Sequence, residues 1–329
     1  MYTAAEDRYG KMLYRRAGES GLEMPVFTLG FWHNFGESGD YEEMRRMVYT
    51  AFDNGVTSFD LANNYGPPGG EAERNFGRIL KDGLSSYRDE IIISTKAGYP
   101  MWPGPYGKGG GKKYLVSSLD QSLKRMGLDY VDVFYHHCPD PDTPMDETAD
   151  ALAYIVQSGR ALYIALSKYD AKGVAQMTEL LSHYHVHPVL NQVRYSILDR
   201  AFDGDNLFVN LNRLGVGSAI FSPLAQGLLT DKYISGEVPV NSRAHENVYL
   251  KESVITAGLI ARLEELRKIA SARGQSLSQM ALSFVLAQRS VSTVLIGARN
   301  TEQLMENLRT LETDIRISDD EMREILSYA

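Results

Sequence analysis

The chain has 329 residues, 43% of them apolar, which is enough for a large core and for one closed α/β barrel spanning 1–329 as a single domain. Its 34 basic residues against 42 acidic ones leave a formal charge of −8, which excludes a general binder of nucleic acid or anionic membranes. No apolar run is long enough to span a bilayer, Met1 to Gly10 lacks a signal-peptide core, and the lone cysteine, Cys138, makes no internal disulfide, so a cytoplasmic protein is expected.

Met12 to Thr28 reads as a hairpin turning at Gly18-Glu19-Ser20-Gly21, and Val26 to Trp32 as a first barrel strand. Asp40 is the expected N-cap of a helix from Tyr41 to Asp53, in which Met44, Met47, Val48 and Ala51 share one face, and Asn54-Gly55 stops it. Strand Val56 to Asp60 and helix Glu71 to Leu80 follow. Strand Glu90 to Lys96 is a continuous apolar run of the buried parallel type. The alternation continues with helix Leu115 to Met126, strand Tyr130 to His137, helix Asp146 to Gln157 and strand Ala161 to Leu166. Next come helix Ala171 to Ser182, strand Val189 to Tyr195, helix Asp205 to Leu214 and strand Gly217 to Ser222. Two helices, Thr256 to Ala272 and Ser276 to Ala287, precede an eighth strand at Ser292 to Gly297. A helix at Thr301 to Leu311 and a tail helix near Asp319 to Leu326 complete the chain.

Eight strand–helix units in sequence predict an α/β fold of the (β/α)8 TIM-barrel type, with an N-terminal β-hairpin and extra helices. A doubly wound open sheet would need a Gly-rich dinucleotide turn after its first strand. The nearest match, Gly215-Val216-Gly217, precedes a strand and lacks the third glycine. The longest irregular stretches, Gly98 to Lys113 and Thr230 to Val254, follow strand ends, where barrel enzymes build their sites.

In such a barrel the C-terminal strand ends share one mouth. Asp60 ends the second strand with Tyr65 in the loop beyond it, Lys96 ends the third, and His137 ends the fourth. Singly, each has a plain alternative: a cap, a loop aromatic, a surface charge, a satisfied polar residue. Together they read as a proton donor with its tuning shell. A free tyrosine has a pKa of about 10, and a neighbouring cation stabilises its phenolate. Lys96 supplies that cation, Asp60 holds it, and His137 directs a substrate oxygen.

The segments TSFDLANNYG, ISTKAG and DVFYHH together resemble the aldo-keto reductase superfamily, in order and over nearly the whole chain, from Leu29 to Glu306. Within it the loops LANNYGPP, MWPGPYG and PLAQGLLT are most similar to a bacterial L-glyceraldehyde 3-phosphate reductase and potassium-channel β-subunit-like subgroup. The resemblance implies that Tyr65 is the general acid, Lys96 tunes it, Asp60 supports Lys96, and His137, rather than His136, orients the carbonyl. It implies NADP(H) lying across the barrel mouth. Trp32 and Asp60 border the cofactor, and Ser167 and Gln192 meet the nicotinamide amide. Phe221 stacks on the nicotinamide ring, while Ser222, Leu224 and Gln226 line the pyrophosphate. Gly297, Arg299, Gln303, Glu306 and Asn307 match the adenosine end. Lys168 stands where the family has an Asn. The helix opened by Gly297 to Thr301 offers backbone N–H groups to a phosphate, and Arg299 suits a 2′-phosphate, so NADPH is expected over NADH.

The expected activity is reduction of a small aldehyde or ketone, with glyceraldehyde 3-phosphate and methylglyoxal as first substrates. The alternatives are a redox-sensing cofactor-binding subunit like the channel β subunits, and a Schiff-base aldolase using Lys96, which Asp60 disfavours. A homo-oligomer of tetrameric or larger order is implied by the same subgroup. The loop GPYGKGGGKK lacks Walker spacing, so Lys108, Lys112 or Lys113 is either a substrate-phosphate ligand or part of a flexible lid. No metal is expected. His183, His185 and His187 alternate as strand ligands do but lie at the wrong end of the barrel, and His137-Cys138 has no second cysteine.

Overall fold

The computed structural model describes residues 2–240, 242–246 and 248–329. Among them, eight parallel strands close into a barrel: β3 (Phe27–Gly30), β4 (Ser58–Asp60), β5 (Ile92–Ala97), β6 (Val131–His136), β7 (Ala161–Ser167), β8 (Pro188–Arg194), β9 (Gly217–Phe221) and β10 (Val291–Ile296). They neighbour one another in chain order, and β10 pairs with β3 to complete the ring. β1 (Tyr14–Arg16) and β2 (Glu23–Pro25) form a separate antiparallel hairpin. This is the expected (β/α)8 architecture.

Each crossover returns through a helix whose apolar stripe covers the barrel wall. These are α1 (Tyr41–Asp53), α2 (Glu71–Ile79), α3 (Lys112–Met126), α4 (Met145–Gln157), α5 (Ala171–Ser182) and α6 (Leu207–Leu214). Beyond β9 come the one-turn α7 (Arg243–Glu246), then α8 (Ala257–Ala272) and α9 (Leu277–Leu286); α10 (Thr301–Leu308) and α11 (Asp319–Ser327) follow β10. Asp40 caps α1 as expected, accepting from the Glu42 N–H at 3.0 Å, and Met44, Met47, Val48 and Ala51 are all buried. Ser276 and Ser318 close reciprocal capping boxes with Gln279 and Glu321.

The observed elements depart from the expected bounds mainly at their ends. α2 runs on through a π turn (Leu80–Leu84) and a 3-10 segment (Ser85–Glu90), so more of the connection to β5 is helical than apolar periodicity indicates. Thr230 to Val254 is not irregular throughout: it holds turns at Asp231–Tyr233 and Glu252–Val254 with α7 between them.

The hairpin settles which end of the barrel is open. Its Ala17, Leu22 and Met24 pack with interior residues from the N-terminal half of the strands, including Ile92, Val133, Val189 and Ala219. The Glu19 N–H donates to the Gly215 carbonyl (2.9 Å), and Ser292 Oγ donates to the Arg16 carbonyl (2.9 Å). The bottom is thus sealed, and polar side chains collect at the C-terminal mouth.

Gly18 sits at φ 59°, and a Cβ there would lie 2.1 Å from the Gly215 carbonyl oxygen. Gly18→Val is therefore expected to lever the hairpin off the barrel floor and destabilise the fold by about 2–4 kcal/mol, from left-handed strain plus overpacking. Urea unfolding measures it, and an unchanged midpoint would refute the plug.

Candidate active site

Lys96 lies on β5 with no solvent exposure, and Asp60, the last residue of β4, is 2% exposed. All three N–H bonds of the ammonium are directed: to Asp60 Oδ2, to the Leu61 carbonyl (2.7 Å) and toward the Tyr65 hydroxyl (3.4 Å). Asp60 Oδ1 accepts from Ser94 Oγ (3.0 Å) and from Gln192 Nε2 (3.1 Å). Burial lowers the Lys96 pKa, and Asp60 opposes it. An amine with every N–H engaged is a poor nucleophile, which removes the physical basis of the Schiff-base alternative.

Tyr65 is held from behind. Its carbonyl accepts the N–H groups of Gly70 (3.0 Å) and Ala72 (3.4 Å), which ties the loop to the start of α2. Its ring lies 4.9 Å from Lys96 Nζ and meets His137 edge-on at 5.9 Å. The expected lowering of its pKa is not what the structure produces. Burial, followed by the Asp60 charge and the Tyr99 and Tyr135 rings, pushes the phenol well above its ordinary value. Burial is the larger cause, and Lys96 brings Asp60 with it, so the pair presents little net charge to the phenol. Tyr65 therefore keeps its proton, with a Lys96 N–H directed at its oxygen.

Strand parity separates the two adjacent histidines. Side chains on a strand alternate between its two faces. Tyr135 packs in the barrel interior, so His136 faces outward, where its Nδ1 is 2.6 Å from the Tyr169 hydroxyl. His137 returns to the inner side, between Tyr65 and Tyr99, whose ring is 4.7 Å away. Burial, with Lys96, Lys168 and His136, holds the His137 pKa well below the usual imidazole range, so the ring is neutral. Its Nδ1 is buried without a protein partner.

The residues expected to hold a nicotinamide nucleotide gather round the same mouth. Ser167, the last residue of β7, is paired in register with Gln192 of β8. Ser167 Oγ is buried and unpartnered, and so is Gln226 Oε1. Gln192 already gives an N–H to Asp60, which leaves its carbonyl side for a carboxamide. After Phe221, Ser222 (φ 55°), Ala225 (φ 46°) and Gln226 (φ 63°) take left-handed conformations around Leu224. Such strain costs about 1–3 kcal/mol per residue and collects at ligand clamps. Unpartnered polar atoms and a strained collar fit the amide and pyrophosphate of a dinucleotide.

The adenosine end needs one correction. The N–H groups opening α10 are not free for a phosphate: Thr301 N–H donates to Glu43 Oε1 (2.6 Å), Gln303 N–H to the Asn300 cap (2.9 Å), and Arg299 N–H to Gln303 Oε1 (3.1 Å). Glu306 accepts from Ser276 (3.2 Å), and Asn307 is buried. Gly297, just past β10, is exposed. Positive charge here comes from side chains instead. A cleft of about 450 Å³ is lined by His33, Arg243, Glu246, Tyr249 and Arg299 among others. Arg243 lies over the Trp32 ring (5.2 Å), and Arg299 donates to Glu246 (2.7 Å). Burial, then Arg299 and Arg243, lowers the Lys232 pKa, placing a third cation nearby. Sequence reasoning missed Arg243 and Lys232, because their segment carries no periodicity.

The loop lysines go elsewhere. Lys112 Nζ pairs with Asp150 on α4 (2.7 Å), Lys113 lies over the Tyr106 ring (5.3 Å), and Lys108 is exposed. The loop folds back on itself through Met101 N–H to Gly107 O (2.9 Å) and Gly109 N–H to Gly98 O (2.8 Å). His183 and His185 sit in the turn after α5, with His187 just before β8. Among the described residues no group of three or more His, Cys, Asp or Glu is placed to hold a metal, and no helix is long and apolar enough to cross a membrane.

Burial pushes the pKa of His136 down to about 4, with Asp140 opposing. Unfolded histidine titrates near about 6.5, so between these values the unfolded chain binds more protons. Stability is therefore full above about pH 6.5 and falls as pH drops toward 4, with His136 contributing up to about 3 kcal/mol of the loss. Urea midpoints from neutral to mildly acid pH test this, and His136→Gln should flatten the slope. An equally steep slope in that variant would assign the effect elsewhere.

Comparison with known proteins agrees with this geometry. The family model described as Aldo/keto reductase family matches residues 27–328. The chain is 50% identical over 329 residues to an L-glyceraldehyde 3-phosphate reductase of Escherichia coli K12, covering 99% of this chain and 94% of that protein. It is 33% identical over 306 residues to a probable voltage-gated potassium channel subunit beta of Oryza sativa subsp. japonica, covering 92% of each. A putative subunit of the same type from Schizosaccharomyces pombe is 33% identical over 322 residues, covering 95% of this chain and 92% of that protein. The chain belongs to the aldo/keto reductase family.

Proposed function

We propose that this protein is an NADPH-dependent reductase of short-chain aldehydes, with glyceraldehyde 3-phosphate and methylglyoxal as the first candidates. The observation that carries the reading is the buried Asp60–Lys96 pair, whose remaining N–H points at the Tyr65 hydroxyl beside His137. The name of the 50% identical relative supports the substrate class.

A nicotinamide nucleotide held by Ser167, Gln192 and Phe221 would supply the hydride that reduces the carbonyl carbon. Tyr65 gives its phenolic proton to the carbonyl oxygen, so aldehyde becomes alcohol and the tyrosine becomes phenolate. Lys96 stabilises that phenolate through the N–H already aimed at it, and Asp60 balances Lys96 so that no uncompensated charge is buried. Neutral His137 donates to the same carbonyl oxygen and fixes its direction without competing as the acid. Tyr65 regains its proton from solvent at the mouth.

Lys232, Arg243 and Arg299, set against Glu246, favour the 2′-phosphate of NADPH. The family resemblance further supports a cytoplasmic homo-oligomer, tetrameric or larger, that acts as one domain.

Tyr65→Phe is expected to cut kcat by about 10²–10⁴-fold while NADPH binding persists. NADPH absorbance with each aldehyde measures turnover, and fluorescence titration measures binding. Tight nucleotide binding without turnover in the wild type, on these and other aldehydes, would replace the reductase with a redox-sensing subunit. Arg299→Met should weaken NADPH by about 10–100-fold and NADH much less. Equal losses for the two nucleotides would remove the 2′-phosphate assignment.

A further inference from the structure

Lys168 follows the last residue of β7 in a left-handed conformation (φ 63°). Its side chain crosses the end of β6 toward the loop after β5. There Nζ donates to the Tyr99 hydroxyl and lies 4.5 Å from the centre of the Tyr99 ring. Nζ also lies 5.6 Å from the centre of the Phe221 ring. Because Tyr99 also packs edge-on against His137 at 4.7 Å, the charge stands on the carbonyl side of the mouth.

Among the described residues no carboxylate forms an ion pair with this cation. Burial lowers its pKa, with Cys138 opposing. A half-buried ammonium facing aromatic rings and a neutral imidazole is costly unless an anion joins it. The loop lysines are poor substitutes, since Lys112 is paired with Asp150 and Lys113 lies on Tyr106.

We propose that Lys168 is the specificity-determining cation of the carbonyl pocket, binding the terminal phosphate or carboxylate of a short aldehyde whose carbonyl oxygen is held by Tyr65 and His137. The proposal rests on the reductase reading for the position of that carbonyl. Tyr99 is the positioning residue: its hydroxyl accepts from Nζ and its ring fixes the ammonium over the pocket. The site selects for charge at the far end of the substrate, and uncharged aldehydes of the same length lack that contact.

The test is the ratio of kcat/KM for glyceraldehyde 3-phosphate over neutral glyceraldehyde, with succinic semialdehyde as the carboxylate arm. Lys168→Met should lower the ratio for the preferred anion by about 10–100-fold, chiefly through KM, and Lys168→Arg should restore most of it. The same change at Lys108 or Lys113 should leave the ratio at its wild-type value. A ratio unchanged in Lys168→Met, or one that falls at the loop lysines instead, overturns the proposal. So does an equal loss on charged and neutral aldehydes, which would assign Lys168 to the cofactor or to pocket shape. Calorimetric binding of glycerol 3-phosphate to the NADP+-loaded protein separates this proposal from the reductase reading. If no aldehyde turns over but that binding is present and lost in Lys168→Met, the reductase reading fails and the anion site stands. No binding in the wild type overturns the anion site.

Discussion

Everything at the mouth of this barrel depends on one buried ion pair. Lys96 has no solvent exposure and Asp60 almost none, so neither charge could be accommodated alone. Each is saturated by directed partners: three acceptors around the ammonium, and Ser94, Gln192 and Lys96 around the carboxylate. The consequence is geometric before it is chemical. A fixed ammonium defines where the Tyr65 oxygen sits, and a carboxylate tied to Gln192 couples β4, β5 and β8 through one group.

The pair also sets the charge around the tyrosine. A lone lysine beside a phenol would lower its pKa, whereas an ion pair presents little net charge to it. Burial then serves all three partners at once. It holds Tyr65 protonated and His137 neutral, and it makes the Asp60–Lys96 attraction stronger than it would be in water. The rest of the barrel supplies that dry setting: aromatic and aliphatic layers below, and the hairpin closing the floor.

Away from this centre the mouth is unevenly charged. Arg243, Arg299 and Lys232 cluster on the side of β10 and the long connection after β9, while Lys168 stands near β6. A chain of net charge −8 thus places several of its cations around this mouth. Left-handed backbone at Lys168, Ser222, Ala225 and Gln226 belongs to the same rim.

Much of this was legible in the residues. Continuous apolar runs such as Ile91 to Ile93 announce strands buried on both faces, and Asp40 with the following Met44, Met47 and Val48 announces a capped, one-sided helix. Their regular alternation leaves few topologies besides a barrel, and a barrel places strand-terminal residues together whatever their spacing. The preference for His137 over His136 also agrees with a period of two, a purely local rule. Other features depended on approach between segments distant in sequence. The phenol's raised pKa comes first from its burial among these segments, then from the Asp60 charge. The occupied helix start at Thr301 comes from Glu43, 258 positions away. Arg243 comes over Trp32 from a connection with no periodic pattern, and the direction of Lys168 depends on a single left-handed residue and on Tyr99 across β6. Local periodicity encodes which elements form and which face they bury. Electrostatics depends on distances between those elements, and only the closed tertiary structure sets them.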